Sequence, residues 1–146
     1  MAPKNKFTRN EITAAAVEVV RKKGIEELTA RAIANELGVS TQPIFTCFST
    51  MDEARKAVRG EAENIYYKYT TVGLNMSIPF YGFGMQYIRF AKDEPELYRL
   101  LFLTAGDDGK SGVMEEMQHS MKLAVESVKK IYDMNQREAE RYFRDM

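Results

Sequence analysis

Residues 28–48 hold the sequence feature that most constrains the fold, which is two short helical patterns separated by a glycine. Thr29 can cap the first pattern, because its hydroxyl can accept a hydrogen bond from a backbone N–H of the first turn. Ile33 and Leu37 follow at i and i+4 and place an apolar stripe on one face. Gly38 can end that helix, since glycine enters the left-handed conformation without a steric penalty. The stretch therefore predicts a helix, a tight turn and a second helix.

The second helical pattern is short and carries polar side chains near its start. Ser40 is expected to cap it, and Pro43 is tolerated in the first turn, where backbone N–H groups have no intrahelical partner. Ile44 and Phe48 can both face inward, which leaves five side chains on other faces: Thr41, Gln42, Phe45, Thr46 and Cys47. A DNA major groove accepts a helix of this kind. Helix–glycine–helix hairpins are also common in all-α proteins that bind no nucleic acid, so the pattern alone leaves both interpretations open.

Helical patterns continue on both sides of this hairpin. Thr8 and Glu11 have the spacing of a capping box, which starts a helix that Gly24 ends. Thr50 and Glu53 repeat the box. The later helices are expected at 51–71, 79–93, 96–103, 113–132 and 136–146, with a break at 73–77 and a loop at 105–112. Strand patterns are absent, so the chain is predicted to be all-α with seven to eight helices.

Composition excludes several classes of protein. The 146 residues are 45% hydrophobic and 29% charged, as expected of a globular chain. The single cysteine, Cys47, rules out an intrachain disulfide and fits the reducing cytoplasm. No apolar run approaches the roughly 18 residues of a membrane span, so we expect a cytoplasmic protein with no membrane partner.

Charge is unevenly spread along the chain. Residues 1–59 carry ten Lys or Arg against seven Asp or Glu, a net +3, whereas residues 60–146 carry eleven against fourteen, a net −3. A basic N-terminal part fits contact with phosphate, although an asymmetry of this size does not by itself indicate DNA binding.

Patterns for catalysis or metal binding are not found. The one histidine, His119, lies in a Met-rich helical pattern, and no Cys/His cluster has metal-ligand spacing. No phosphate-binding loop or nucleophile motif is present. We therefore expect neither enzymatic activity nor a cofactor or metal.

Residues 8–57 resemble the N-terminal DNA-binding domain of the TetR family of bacterial transcriptional regulators. The matching residues are Ile12, Ala15, Ala16, Gly24, Thr29, Ile33, Ala34, Leu37, Gly38, Val39, Ser40, Phe45, Phe48, Asp52 and Glu53. Residues 90–102 are similar, more weakly, to a segment of the family's C-terminal domains. The resemblance implies a three-helix helix-turn-helix domain over residues 1–52 and a helical ligand-binding and dimerisation domain over residues 53–146. TetR-like chains usually end in two helices that pair with a second subunit, and the second of these is expected to be missing here.

The resemblance also implies function. It predicts a homodimeric regulator of a palindromic DNA operator, most commonly a repressor, that is released by a small apolar or aromatic effector. Gln42 is the expected base reader, and the predicted DNA-binding set is Lys6, Arg9, Thr29, Arg31, Ser40, Thr41, Gln42, Phe45, Thr46 and Cys47. Aromatic and methionine residues between 65 and 121 are either ordinary core or the lining of a ligand pocket. The predicted pocket set is Tyr66, Tyr69, Phe83, Tyr87, Phe90, Tyr98, Phe102, Met117, His119 and Met121.

Three positions depart from the family pattern. Phe45 replaces a tyrosine whose hydroxyl contacts phosphate, Cys47 replaces a frequent histidine, and Met51 replaces a lysine that precedes the acidic pair. Loss of a phosphate contact weakens binding to all DNA sequences by about the same amount. These changes support an alternative, in which the chain is a TetR-fold co-regulator that binds a ligand or protein and has lost specific DNA binding.

Overall fold

A computed structural model describes residues 7–105 and 112–145, apart from the side chains of 112–117, 121 and 143. Within these residues the chain is helical with no β-strand, so the all-α prediction is confirmed. The helices are α1 (Arg9–Lys23), α2 (Ala30–Leu37), α3 (Gln42–Cys47), α4 (Met51–Leu74), α5 (Pro79–Asp93), α6 (Pro95–Tyr98), α7 (Gly112–Tyr132) and α8 (Gln136–Arg144). A 3₁₀ turn (Ile25–Glu27) follows α1, and a π-helical turn (Arg99–Leu103) continues α6.

Capping residues set the ends of the first helices as their chemistry predicts. Thr8 accepts a hydrogen bond from the Glu11 N–H at 3.2 Å, and the Glu11 carboxylate accepts one from the Thr8 N–H at 2.6 Å. Thr29 accepts from the Ala32 N–H at 3.0 Å, which caps α2. Gly38 ends α2 in the left-handed conformation at φ 68° and ψ 33°. These predictions are confirmed.

The prediction that Ser40 caps α3 is wrong. Ser40 lies two residues before the first helical residue, and Thr41 occupies the N-cap position instead, without a side-chain hydrogen bond to the helix. Thr41 has φ −74° and ψ −15°, and α3 begins at Gln42, which is one residue later than a Ser40 cap requires. The Thr41 carbonyl accepts from the N–H groups of Ile44 and Phe45, both at 3.1 Å.

The chain divides into two compact units. The first unit runs as far as Ile65 and includes Glu94–Leu100, while the second comprises Tyr66–Asp93 and the residues from Leu101 onward. The first unit therefore extends past residue 52. The domain boundary at residue 52 was inferred from the family resemblance and stays a prediction. The core of the first unit combines apolar side chains from α1 to α4 and from α6: Ile12, Ala16, Val20, Leu28, Ile33, Ile44, Phe48, Val58 and Leu97.

In the second unit, α4 and α5 meet at a pair of glycines. A Cβ atom built on Gly73 would collide with the Gly82 carbonyl group, and one built on Gly82 would collide with the Gly73 carbonyl oxygen. The two backbones therefore touch where any side chain would hold them apart. Gly73 lies inside α4, which ends at Leu74, so the expected break at 73–77 begins too early. The glycine is there for close packing and does not stop the helix.

The rest of the described second unit has two apolar centres. Aromatic rings from α4, α5 and the π-helical turn pack around Tyr66, which is 1% exposed. Val125 and Val128 of α7 pack with Ala139 of α8 and the half-buried Met134. Among the helices of residues 7–105 and 112–145, none is both long and apolar enough to cross a bilayer.

Candidate nucleic-acid interface

The turn between α2 and α3 is held by backbone hydrogen bonds at its start. The Val39 N–H donates to the Ala34 carbonyl at 3.0 Å, and the Gly38 N–H donates to Asn35 at 3.3 Å. Because the Thr29 hydroxyl oxygen accepts from Ala32, its own proton stays available to donate to an anionic oxygen. The geometry of the hairpin is therefore fixed at the turn, and a hydroxyl donor lies at the start of α2.

The inner side of α3 is locked into the core of the first unit. Ile44 is 0% exposed and Phe48 is 1% exposed. The opposite side faces solvent, where Gln42 and Thr46 lie near the surface and Phe45 is 54% exposed. The sequence thus presents a short helix whose outer side combines an amide, a hydroxyl and an aromatic ring.

One of these polar groups is already engaged within the helix. The Thr46 hydroxyl donates to the Gln42 carbonyl oxygen at 3.0 Å. Its oxygen keeps the capacity to accept a hydrogen bond, but its proton is used. Toward a base edge, Thr46 can therefore act as an acceptor, whereas the Gln42 amide offers both a donor and an acceptor.

Arg9 braces the C-terminal end of α3. Its Nη1 donates to the Cys47 carbonyl oxygen at 2.9 Å, and its guanidinium lies 4.8 Å from the centre of the Phe48 ring. The last carbonyls of a helix have no intrahelical partner, so this bond satisfies one of them and places a positive charge at the negative end of the helix dipole. Arg9 thus holds α3 against α1, a role that the sequence analysis did not find.

Cations are distributed unevenly around the first unit. Arg31 is exposed on α2 beside the hairpin, while Lys22 is paired with Glu36 at 2.7 Å, and that hydrogen bond raises the pKa of Lys22. A groove of about 320 Å³ beside the C-terminal end of α2 is lined by apolar side chains, by Arg21 and by four carboxylates, those of Glu11, Glu18, Glu36 and Glu61. With four carboxylates against one guanidinium this groove is unfavourable for phosphate, which favours the start of α2 and the outer side of α3 for contact with DNA.

The first unit also contains a segment that sequence reasoning did not assign to it. Arg21 donates from Nε and Nη2 to the two carboxylate oxygens of Glu94, both at 2.8 Å. Arg99 pairs with Glu26 at 2.6 and 3.3 Å, and Arg59 donates to the Leu100 carbonyl at 3.1 Å. Hydrogen bonding to Glu94 raises the pKa of Arg21, and hydrogen bonding to Glu26 raises the pKa of Arg99. Residues 94–100 are therefore part of the unit that carries the hairpin.

The sequence of the first unit matches that of a known family. Residues 12–58 match the bacterial regulatory proteins of the tetR family, and this range contains α2, α3, the turn between them and most of α1. The matched range is 47 of the 146 residues, so it is this N-terminal part of the chain that is similar to the TetR family. Members of this family are DNA-binding regulators and are not enzymes, and they typically dimerise on operators. No curated protein and no solved structure matched this chain.

The predicted DNA-binding residues mostly lie on or beside α2 and α3. Arg9 differs from the other predicted residues, because its guanidinium already donates to the Cys47 carbonyl and lies over the Phe48 ring. Lys6 lies outside the described residues. The side chains at the start of α2 and on the outer side of α3 are at least partly open to solvent, as a role at an interface requires. Their contact with DNA stays a prediction.

The predicted ligand-pocket residues are more scattered. Tyr66, Tyr87, Phe90 and Phe102 form one cluster, with Tyr66 lying 5.2 Å from Phe90 and 5.3 Å from Phe102 between ring centres. The Tyr66 hydroxyl shares a hydrogen bond of 2.8 Å with Ser120 Oγ. These rings contact one another directly, which is how an ordinary aromatic core packs.

The other predicted pocket residues lie at the margin of this cluster or outside it. Tyr69 and Phe83 are half-buried, and His119 is exposed, with its ring 4.6 Å from that of Tyr67. Tyr98 lies on α6 in the first unit. The side chains of Met117 and Met121 lie outside the described residues. The residues that the structure describes contain no group of three His, Cys, Asp or Glu placed to hold a metal.

Proposed function

We propose that this chain is a transcriptional repressor that reads a palindromic operator as a homodimer and is released by a small apolar or aromatic effector. The observation that supports DNA reading most strongly is the two-sided character of α3. Ile44 and Phe48 anchor its inner side, and Gln42 lies on the outer one. A rigidly held helix with an accessible amide near its N-terminus is suited to the major groove.

Each group on this face has a role that follows from its hydrogen-bonding capacity. Gln42 offers a donor and an acceptor together, which matches the N6 and N7 edge of adenine. Thr46 offers an acceptor, because its proton is bonded to the Gln42 carbonyl. Phe45 offers an apolar surface that suits a sugar or a thymine methyl group. Thr41 and Cys47 border these contacts.

Phosphate contacts are assigned to the residues around the hairpin. Thr29 donates its hydroxyl proton, Arg31 supplies a positive charge, and Ser40 supplies a second hydroxyl in the turn. These contacts set the register of α3 and carry no sequence information themselves.

Effector binding is assigned to the aromatic cluster around Tyr66. Its rings are apolar, and its Tyr66 and Tyr69 hydroxyls are bonded to Ser120 and Asp93, so an aromatic ligand would enter by parting rings that contact one another. An effector releases the operator only if it binds better to a conformation that binds DNA less well. Residues 94–100 belong to the first unit and are joined covalently to the second at both ends, so a change in the cluster can reach the hairpin through them.

The alternative function is that of a co-regulator that no longer reads DNA. Phe45 favours it, because an exposed aromatic ring without a hydroxyl also suits a protein surface. Met51, at the start of α4, supplies no charge to phosphate. A reducing cytoplasm, consistent with the single cysteine, is the proposed compartment for either function.

Selection from a pool of random DNA duplexes at moderate salt tests the proposal. We expect enrichment of two half-sites related by a two-fold axis and spaced by about one helical turn, roughly 10 base pairs. A pool that stays random after repeated selection would reject DNA reading and favour the co-regulator. Small aromatic compounds that raise the melting temperature and also weaken the selected complex would identify the effector class.

A further inference from the structure

The Thr46 hydroxyl differs from a freely rotating surface hydroxyl, because its proton is already bonded. Thr46 Oγ1 donates to the Gln42 carbonyl oxygen at 3.0 Å, one turn earlier in α3. Threonine in a helix forms this kind of bond with the carbonyl four residues before it. The hydroxyl oxygen keeps its capacity to accept a hydrogen bond. Since Thr46 is exposed, that oxygen is open to a molecule that lies against α3.

The residues around Thr46 separate its oxygen from the amide of Gln42. Ile44 and Phe48 are buried and hold α3 in place, while Phe45 is 54% exposed and adds an apolar ring to the outer side. Gln42 is exposed one turn before Thr46, which is about 6 Å along the helix axis. The outer side of α3 therefore presents an amide at its start and a hydroxyl oxygen one turn later, with a ring beside them.

The base edges of the major groove differ in which hydrogen bond they can make with such an oxygen. Adenine presents its N6 amino group and cytosine its N4 amino group, and both are donors. Guanine and thymine present the keto oxygens O6 and O4, and both are acceptors. A threonine whose proton is free to rotate suits either kind of edge and selects neither. A threonine that can only accept pairs with the amino groups alone.

We propose that Thr46 distinguishes amino bases from keto bases at one position of each half-site. Adenine and cytosine are accepted there alike, and guanine and thymine are rejected. Gln42 selects differently, since its amide donates and accepts together and so matches adenine. The operator half-site should therefore contain one specified adenine and, near it, one position that two bases satisfy. This inference rests on the proposed function, because it names what the DNA-reading side of α3 selects.

The distance between the two side chains and the strength of one hydrogen bond set what can be measured. A separation of about 6 Å along the helix compares with about 3.4 Å between base pairs, so the two positions should lie within about two base pairs of each other. To donate to a keto oxygen, Thr46 must give up its bond to the Gln42 carbonyl. The net contribution of one hydrogen bond corresponds to a preference of about 3- to 10-fold.

Affinities for single-base variants of the selected duplex test the proposal. Within two base pairs of the position that Gln42→Ala relaxes, we expect one position where adenine and cytosine bind similarly and guanine and thymine about 3- to 10-fold more weakly. Thr46→Val keeps the branched shape but removes the hydroxyl, so it should lose this preference and keep the one for adenine. Thr46→Ser should retain both preferences, because serine can form the same bond to the carbonyl.

The chain offers a matched control in α1. Thr13 Oγ1 donates to the Arg9 carbonyl oxygen at 2.8 Å, which is the same kind of bond across one turn. Thr13→Val removes that bond at a residue outside the predicted DNA-binding set, so it should leave every base preference unchanged. Thermal unfolding followed by circular dichroism checks that both valine variants remain folded.

The outcomes separate base selection from a structural role of the hydroxyl. An equal loss of affinity for all four bases in Thr46→Val would mean that the hydroxyl only supports the helix, and would overturn the proposal. A preference for guanine or thymine at the position that Thr46 controls would also overturn it. A pool that stays random rejects the proposed function and this inference together. An enriched palindrome with the same base preferences in Thr46→Val overturns this inference alone.

Discussion

Arg21 and Glu94, which are 73 residues apart in the sequence, form a two-point ion pair in which Nε and Nη2 each donate at 2.8 Å to a different carboxylate oxygen. Glu94 is only 14% exposed in its side chain, and Arg21 is 33% exposed. Glu94 immediately precedes α6, and Arg21 is in the last turn of α1. This pair attaches a distant segment to the unit that carries the α2–α3 hairpin.

Removing this ion pair should destabilise the first unit. We expect Glu94→Gln to lower the free energy of unfolding by about 1–2 kcal/mol, because the pair is less screened than a surface pair but is not fully buried. Denaturant titration measures the change. Asp52→Asn is the matched control, since Asp52 and Arg55 form an exposed pair within one helix, and it should cost less than about 0.5 kcal/mol. Equal losses in both variants would contradict a special role for Glu94.

Arg9 and Arg31 should affect DNA binding in different ways. Arg31 is assigned to phosphate, so Arg31→Ala should reduce the slope of log affinity against log salt by about 0.9. Arg9 bonds the end of α3, so Arg9→Ala should weaken binding and lower the melting temperature while leaving that slope nearly unchanged. Fluorescence anisotropy at several salt concentrations measures both slopes. A drop in slope for Arg9→Ala would show that its guanidinium contacts phosphate after all.

The glycine contact between α4 and α5 predicts a large effect from one methyl group. Gly73→Ala would place a Cβ atom against the Gly82 carbonyl, so the helices must separate, and we expect a loss of about 2–3 kcal/mol. Gly84→Ala is the control, because nothing lies within 4 Å of its Cβ position. That variant should gain up to about 1 kcal/mol from better helix propensity. Thermal unfolding that ranks the two variants in the opposite order would contradict the close packing.

Acid should weaken the contact between Glu26 and Arg99. The Glu26 pKa is lowered from its ordinary value of 4.5, first by a hydrogen bond from its own backbone N–H and then by Arg99. A carboxylate with a lowered pKa stabilises the folded state above its unfolded pKa, and the effect is lost as the pH falls through the folded pKa. The melting temperature of the unmodified chain should therefore exceed that of Glu26→Gln near neutral pH.

Melting temperatures of the unmodified chain and of Glu26→Gln, measured at several pH values, also supply the control for this pH dependence. The two melting temperatures should converge as the pH falls below 4.5. A difference that stays constant into acid would mean that ionisation of Glu26 does not stabilise the fold.

Local chemistry explains most of what the sequence predicts correctly. The Thr8–Glu11 box, the Thr29 cap and the left-handed Gly38 depend only on residues within one turn, so each could be read from neighbouring residues. The same locality explains the error at Ser40, because Ser40 and Thr41 are both good N-caps and the start of α3 at Gln42 makes Thr41 the capping position.

Long-range contacts could not be read in this way. The pattern around Gly73 predicts a break until Gly82 is placed beside it, and nothing in the pattern around Arg9 shows that its guanidinium bonds the end of α3. Pairing of Arg21 with Glu94 requires the path of the whole chain between them. The polar character of Gln42 and the apolar character of Ile44 predicted which side of α3 faces solvent, but the contacts of Gln42 with DNA stay a prediction.

The claim that α3 reads DNA is tested most directly by measuring how much the Gln42 side chain contributes to binding specificity. The measurement compares affinity for the selected duplex with affinity for random duplex at one salt concentration. We expect the unmodified chain to bind the selected duplex at least about 10³-fold more tightly, and Gln42→Ala to lower that ratio by about 5- to 150-fold. Gln118→Ala, an exposed amide on α7, should leave the ratio unchanged. Equal affinity for both duplexes, or an unchanged ratio in Gln42→Ala, would contradict the claim that α3 reads DNA.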